Sequence, residues 1–235
     1  MGKTLIQQAR GHGSLSYRVK HSSFFVKPKY PVELNDGEEW EVVRLFSTAA
    51  HTSPIAKFKQ KNGSKTFFGF ASNGLFEGKT IRIGGNEIGD IAKIGGLETG
   101  TEIFNIELNP GDGGKIVRTG GNAGVIMGKT NNEVSIMLPS KQEKKFSIEC
   151  RATIGKTAGS GRLDKPILKA GKQHYIKKSK SRLWPRTSAV KMNAIDHPFG
   201  GGRGKRIKSK IAKRNAPPGA KVGHIRPSRT GRTKR

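Results

Sequence analysis

Residues 192–206, MNAIDHPFGGGRGKR, set side chains with acid–base chemistry next to each other. Asp196 precedes His197. Pro198 and Phe199 lead into Gly200, Gly201 and Gly202, and Arg203, Lys205 and Arg206 close the stretch. A carboxylate orienting an imidazole makes a general base, but hydrolysis or transfer also needs a nucleophile and a water-poor pocket. Neighbours on an extended chain point to opposite sides, so adjacency alone gives no dyad. The residues suit another task better. Asp196 can turn the chain by accepting bonds from nearby backbone amides. Pro198 restrains His197 to an extended conformation. The glycines let backbone approach a phosphate ridge with no Cβ in the way. The cations that follow are phosphate ligands, and Arg can bind with a bidentate fork. His197 can hydrogen-bond to a base or stack on it.

Other chemistry fails on spacing. Gly-Lys-Thr occurs at 128–130 and 155–157, but a phosphate-binding loop needs a glycine five positions earlier, where Ala123 and Cys150 stand. His12, His21, His51, His174, His197 and His224 are not at ligand spacing, and Cys150 is the only cysteine, so neither a metal site nor an internal disulfide is expected. Asn62-Gly63-Ser64 matches a glycosylation pattern by chance. The N-terminal MGKTLIQQARGHG has no apolar core of the secretory kind, and a cytosolic chain is expected.

The elements that must position this motif are set by charge. Residues 1–30 hold six Lys/Arg and no acids; residues 31–150 hold 14 Lys/Arg and 15 acids; residues 166–235 hold 21 Lys/Arg and one acid, Asp196. A tail of that kind repels itself. Its only aromatics are Tyr175, Trp184 and Phe199. Alone it should stay extended, because burial cannot offset an ordering cost of ~1–2 kcal/mol per residue. Phosphates met by Lys and Arg release condensed counterions and reverse that balance. Nucleic acid is the expected partner. A membrane is not, because proline and glycine interrupt the tail and no segment has transmembrane length.

The neutral middle alternates apolar and polar residues in short runs. EEWEVVRLFS (38–47), SPIAKFKQ (53–60), TFFGFA (66–71) and GKTIRIGG (78–85) read as strands, with an Asn-Gly turn at 62–63. A second group, TEIFNIEL (101–108), KIVRTGG (115–121), AGVIMGKT (123–130), NEVSIMLP (132–139) and EKKFSIE (143–149), follows a connector over 84–96. No amphipathic helix of three turns is expected. Phe46, Phe68, Phe104 and Ile126 are expected in the core. Short strands in two groups predict an all-β chain of two small barrels in tandem, which leave no open sheet edge. The expected division is a basic arm over 1–30, a barrel over 31–85, a barrel over 86–165 and a basic tail over 166–235.

Longer blocks carry a resemblance. GKTLIQQARG at the start, FNIELNPGDGGKIVR (104–118), CRATIGKTAGSGRLDKPILKAGK (150–172), WPR (184–186), MNAIDHPFGGGRG (192–204) and RNAPPGAKVGHIRPSRTGR (214–232) stand in order along the chain. Together they resemble the family of the second protein of the large ribosomal subunit, universal ribosomal protein L-two, of the archaeal and eukaryotic type. The family usually has valine where Ile195 stands, and bacterial relatives carry a second histidine where Phe199 stands. KRIKSKIAK (205–213) departs from the family's proline-containing connection. The resemblance implies an oligonucleotide/oligosaccharide-binding (OB-type) barrel followed by an SH3-like barrel. It implies a structural protein, not an enzyme, that binds large-subunit rRNA near the peptidyl transferase region and supports subunit association and tRNA positioning. Neighbouring ribosomal proteins and the small subunit are the other implied partners, and the implied place is the cytoplasmic ribosome. No cofactor is expected beyond structural Mg ions held by the rRNA.

The candidate RNA ligands are Lys3, Arg10 and Arg18 in the arm, and Lys115, Arg118, Arg151, Lys156 and Arg162 in the second barrel. In the tail they are Lys172, Arg182, Trp184, Arg186, Asp196, His197, Gly200, Gly201, Gly202, Arg203, Lys205, Arg206, Arg214, Lys221, Arg226 and Arg229. Trp184 and Phe199 are candidates for stacking on bases. Two rival functions make different demands. A general DNA-packaging or chromatin protein would use the basic arms without discriminating duplex DNA from folded RNA. An RNA-modifying enzyme would depend on Asp196–His197 for turnover.

Overall fold

A computed structural model describes residues 2–203 and 211–229. The chain divides into two compact units, one of His21–Lys169 and one of the described residues of Met1–Lys20 and Ala170–Arg235.

The His21–Lys169 unit is all-β. Four strands, β1 (Glu39–Phe46), β2 (Ile55–Gln60), β3 (Thr66–Phe70) and β4 (Thr80–Arg82), form an antiparallel sheet in the order β3-β2-β1-β4. The Asn62-Gly63 turn joins β2 to β3 as the sequence predicts. Six more strands, β5 (Ile91–Lys93), β6 (Glu102–Phe104), β7 (Gly124–Lys129), β8 (Glu133–Met137), β9 (Glu143–Ser147) and β10 (Arg151–Ile154), pair antiparallel in the order β5-β10-β6-β7-β8-β9. Each sheet buries its own apolar set. Trp40, Val42, Phe58, Phe67 and Ile81 centre the first core, where Trp40 meets Phe67 edge-on at 4.9 Å and Phe58 stacks on Phe67 at 4.8 Å. Ile94, Ile103, Ile106, Ile126, Val134, Ile136 and Cys150 centre the second. The Tyr30 hydroxyl shares a hydrogen bond with Thr153 Oγ1 on β10, tying the segment before β1 to the second sheet.

Several details depart from expectation. The connector over 84–96 contains β5, and a further strand, β10, follows the last expected run; both are short and mostly buried, so neither shows period-2 alternation. Residues 115–121 form no strand, only a bridge between Ile106 and Ile116. Phe104 and Ile126 are buried, but Phe46 and Phe68 are only half-buried. A bulge at Val43 is the cause: the register passes from Val42↔Phe58 to Arg44↔Lys57, so the inward phase moves from Trp40 and Val42 to Leu45.

The terminal unit holds helix α1 (Ile6–Gly11), helix α2 (Ala170–Ser179) and a two-residue parallel pair, β11 (Ile211–Ala212) with β12 (His224–Ile225). The wholly extended tail expected from charge therefore gives way at 170–179. That helix buries no side chain, and Lys177 and Lys178 in its last turn suit the negative end of the helix dipole. Among the described residues no helix is long and apolar enough to cross a membrane.

Candidate nucleic-acid interface

The 192–203 motif is a closed turn. Asp196 N–H and His197 N–H donate to the Asn193 carbonyl at 3.0 and 3.3 Å, Gly200 N–H donates to the His197 carbonyl at 2.8 Å, and Gly201 N–H donates to the Met192 carbonyl at 3.0 Å. The chain turns so tightly at Gly200 that a Cβ there would lie 2.2 Å from the Asn193 oxygen. Gly201 and Gly202 take φ of 85° and 74°, where other residues are strained. The glycine run thus shapes the motif itself, a role that the sequence reading, with its phosphate approach, does not include.

The acid and the imidazole go to different partners. Asp196 Oδ1 pairs with Lys3 Nζ at 3.1 Å, and Lys3 N–H donates to the Ile195 carbonyl at 2.9 Å. His197 Nδ1 accepts the Phe199 N–H at 3.0 Å, and the two rings lie 5.1 Å apart. His197 is held as a shape element, with Nδ1 occupied by backbone.

Around this turn the unit forms a cleft of about 570 Å³, lined by Leu5, Arg10, Leu183, Arg186, Met192, Asp196 and His197 among others. It gathers residues from the arm, from the WPR block and from the glycine motif into one concavity, with Arg10, Arg186 and Asp196 as its charged groups. A second cleft of about 550 Å³ is lined by Tyr17, Lys20, His174, Lys178, Arg182 and Trp184. Trp184 is half-buried there. Arg18 folds back, its Nε donating to the Gly13 carbonyl at 2.7 Å. Lys172, Arg203, Arg214, Lys221, Arg226 and Arg229 are exposed. Lys205 and Arg206 lie outside the described residues, as does part of 205–213.

The candidates from the middle of the chain are engaged within the protein. Lys115 pairs with Asp112 at 3.2 Å and Lys156 with Glu102 at 3.1 Å. Arg118 lies over the Phe70 ring at 4.7 Å and donates to the carbonyls of Pro28 and Gly114. Burial pulls its pKa below the ordinary arginine value. Arg151 donates to the carbonyls of Val32 and Leu34, and Arg162 to that of Gly120. These arginines tie loops and the segment before β1 onto the sheets.

One residue that sequence reasoning missed holds a loop in place. Glu107 is fully buried. Its Oε1 accepts the Gly113 N–H at 3.0 Å, and its Oε2 accepts the N–H groups of Arg151 at 2.9 Å and Gly111 at 3.3 Å. Asp112 Oδ2 accepts the N–H groups of Leu108 and Asn109, both at 3.1 Å. Burial works against that charge, but the backbone donors and Lys115 hold its carboxyl below the usual value. The two acids fold NPGDGG into one rigid turn beside β10. Among the described residues no group of three or more His, Cys, Asp or Glu side chains could hold a metal ion.

Residues 87–219 match the family model for the C-terminal domain of ribosomal proteins L2. The chain is 41% identical to the large ribosomal subunit protein uL2 of Archaeoglobus fulgidus over 98% of this chain and 99% of that protein. The chain belongs to the uL2 family of large-subunit ribosomal proteins. It is also 41% identical to the uL2 protein of Hyperthermus butylicus over all of both chains, and 39% identical to that of Korarchaeum cryptofilum over 100% of this chain and 98% of that one. Membership in uL2 makes this a ribosomal protein and not an enzyme.

Proposed function

We propose that this protein binds large-subunit rRNA through its two basic termini, bracing the RNA near the peptidyl transferase region and so supporting subunit association and tRNA positioning. One observation carries the reading. Both apolar cores lie within His21–Lys169, whereas the described residues of the terminal unit bury only Leu5, Ala212 and Val222 as apolar side chains. A strongly cationic unit with so little burial gains its order from a polyanion: each phosphate contact releases counterions and offsets the entropy of ordering.

In this reading the β unit docks on folded RNA and fixes orientation. Lys3, Arg10, Arg186, Arg203 and the later tail cations neutralise phosphates where RNA helices crowd, with His197 and Phe199 supporting the shape of the turn. Structural Mg ions belong to the RNA. Neighbouring ribosomal proteins and the small subunit are further partners, tRNA is influenced indirectly, and the site of action is the ribosome in the cytoplasm. Competition binding tests this. Folded large-subunit rRNA should displace duplex DNA by a wide margin at physiological salt. Equal affinity for the two would favour a general packaging role.

A further inference from the structure

Away from its covered Ile55–Phe70 end, the outer face of the four-stranded sheet carries a patch of rings and cations. Along β2, Ala56 and Phe58 are buried in the core, and Lys57 between them takes the opposite face. The register sets Arg44 of β1 and Phe68 of β3 on either side of Lys57. Phe46 meets Phe68 edge-on at 6.0 Å. Phe25, from the segment ahead of β1, stacks on Phe46 with centroids 6.0 Å apart and is 64% exposed. The bulge at Val43 produces this arrangement, because it turns Arg44 and Phe46 to the outside together.

For the protein alone the arrangement is unfavourable. Arg44 and Lys57 are like charges directly opposite on adjacent strands, which repel. Neither belongs to any ion pair among the described residues. Glu41 stands opposite Lys59, and the Glu77 carboxylate beside Arg44 accepts the Leu45 N–H at 2.7 Å. One exposed ring and two half-buried ones beside cations that hold no ion pair among the described residues match a strand that supplies a π-face and a phosphate with each unit. Paired bases hide their faces inside the duplex, so the match is to nucleotides that are not paired. An apolar protein surface would cover the rings and leave the two cations desolvated without a partner.

The geometry points to a stretch of unpaired rRNA lying across this face, with bases on Phe25 and Phe68 and phosphates at Arg44 and Lys57. This rests on the reading of the chain as an rRNA-binding protein and adds a place and a nucleotide state to it.

The test uses the full chain and two probes, folded large-subunit rRNA and a short single-stranded oligoadenylate RNA carrying 2-aminopurine. The Phe25→Leu/Phe68→Leu variant keeps apolar packing around Phe46 and removes the rings. It should bind the oligonucleotide ~10–100-fold more weakly and lose the quenching of 2-aminopurine, with an unchanged salt slope. Arg44→Gln/Lys57→Gln should instead lower the slope of log K against log salt by about 1.4. Unchanged affinity and quenching in the phenylalanine variant would overturn the inference while leaving rRNA binding intact. Failure of the wild-type chain to bind the folded rRNA would overturn the reading beneath it. Benzoylphenylalanine in place of Phe25 should crosslink to RNA in assembled large subunits, and crosslinks to protein alone would assign the face to a protein partner.

Discussion

Asp196 binds Lys3, not the histidine beside it: the carboxylate oxygen lies 3.1 Å from Lys3 Nζ, across 193 positions of sequence. That pair fastens the start of the chain to the glycine motif. It gives the single acid of the tail a structural task and leaves His197 without an orienting carboxylate. In the proposed reading, this motif would bear on peptide-bond chemistry only through the shape of the surrounding RNA.

Replacing the two residues separately tests that dependence. The Lys3–Asp196 pair is solvent-exposed, so Asp196→Asn should weaken RNA binding by no more than about fivefold, the equivalent of ~1 kcal/mol. His197→Ala should leave the rate of peptidyl transfer in correctly assembled subunits close to wild type, read by rapid quench after gradient purification. A large rate loss with normal assembly would show that the imidazole itself takes part.

The glycines should be unequal. A Cβ at Gly200 would lie 2.2 Å from the Asn193 oxygen and 2.7 Å from the Met192 oxygen, so Gly200→Ala must open the turn. At Gly202 nothing lies within 4 Å, and only the φ of 74° is strained. Gly202→Ala should cost ~1–2 kcal/mol, a partial defect in incorporation into large subunits. Gly200→Ala should be clearly worse, and equal defects would mean that the turn is not what matters.

Glu107 should be among the most sensitive positions in the β unit. Glu107→Ala leaves the buried amide of Gly113 and the part-buried amides of Gly111 and Arg151 without their acceptor. At ~1–3 kcal/mol for a buried donor left unsatisfied, and less for the two part-buried ones, a loss of about 2 kcal/mol or more is expected in urea unfolding. A loss below about 1 kcal/mol, on the order of a surface substitution, would contradict the role assigned to the loop.

Cys150 is fully buried, and burial pushes its thiol up to about 11. It should resist alkylation in the native protein from about pH 7 to 9 and react on unfolding, because the thiolate is the nucleophile. Ready labelling of the native chain at neutral pH would show that the second core opens there.

Much of this was readable from the sequence where one face of a strand is buried. β1 to β3 and β7 to β9 are five or more residues long and fall within the runs expected for them. β5 and β10 did not announce themselves, since three or four mostly buried residues carry no period. The misplacement of Phe46 and Phe68 traces to Val43: nothing in EWEVVRLF marks a bulge, and the bulge alone decides which side Phe46 takes. The glycine motif was legible because its residue types are unusual together. Its anchor, Lys3, was not, because a partner at the far end of the chain leaves no local trace. Arg118, Arg151 and Arg162 look like any other cations until the carbonyls they hold are seen.

The most direct measurement is the salt dependence of binding to folded large-subunit rRNA, for the full chain and for a chain lacking residues 190–235. Every phosphate that the shortened chain no longer neutralises should flatten the slope of log K against log salt by roughly 0.7–0.9. The truncated chain should therefore bind far more weakly and with a markedly shallower slope, while its β unit keeps the unfolding transition of the full protein. An unchanged affinity and slope would contradict the account, because the basic tail would then contribute nothing to RNA binding.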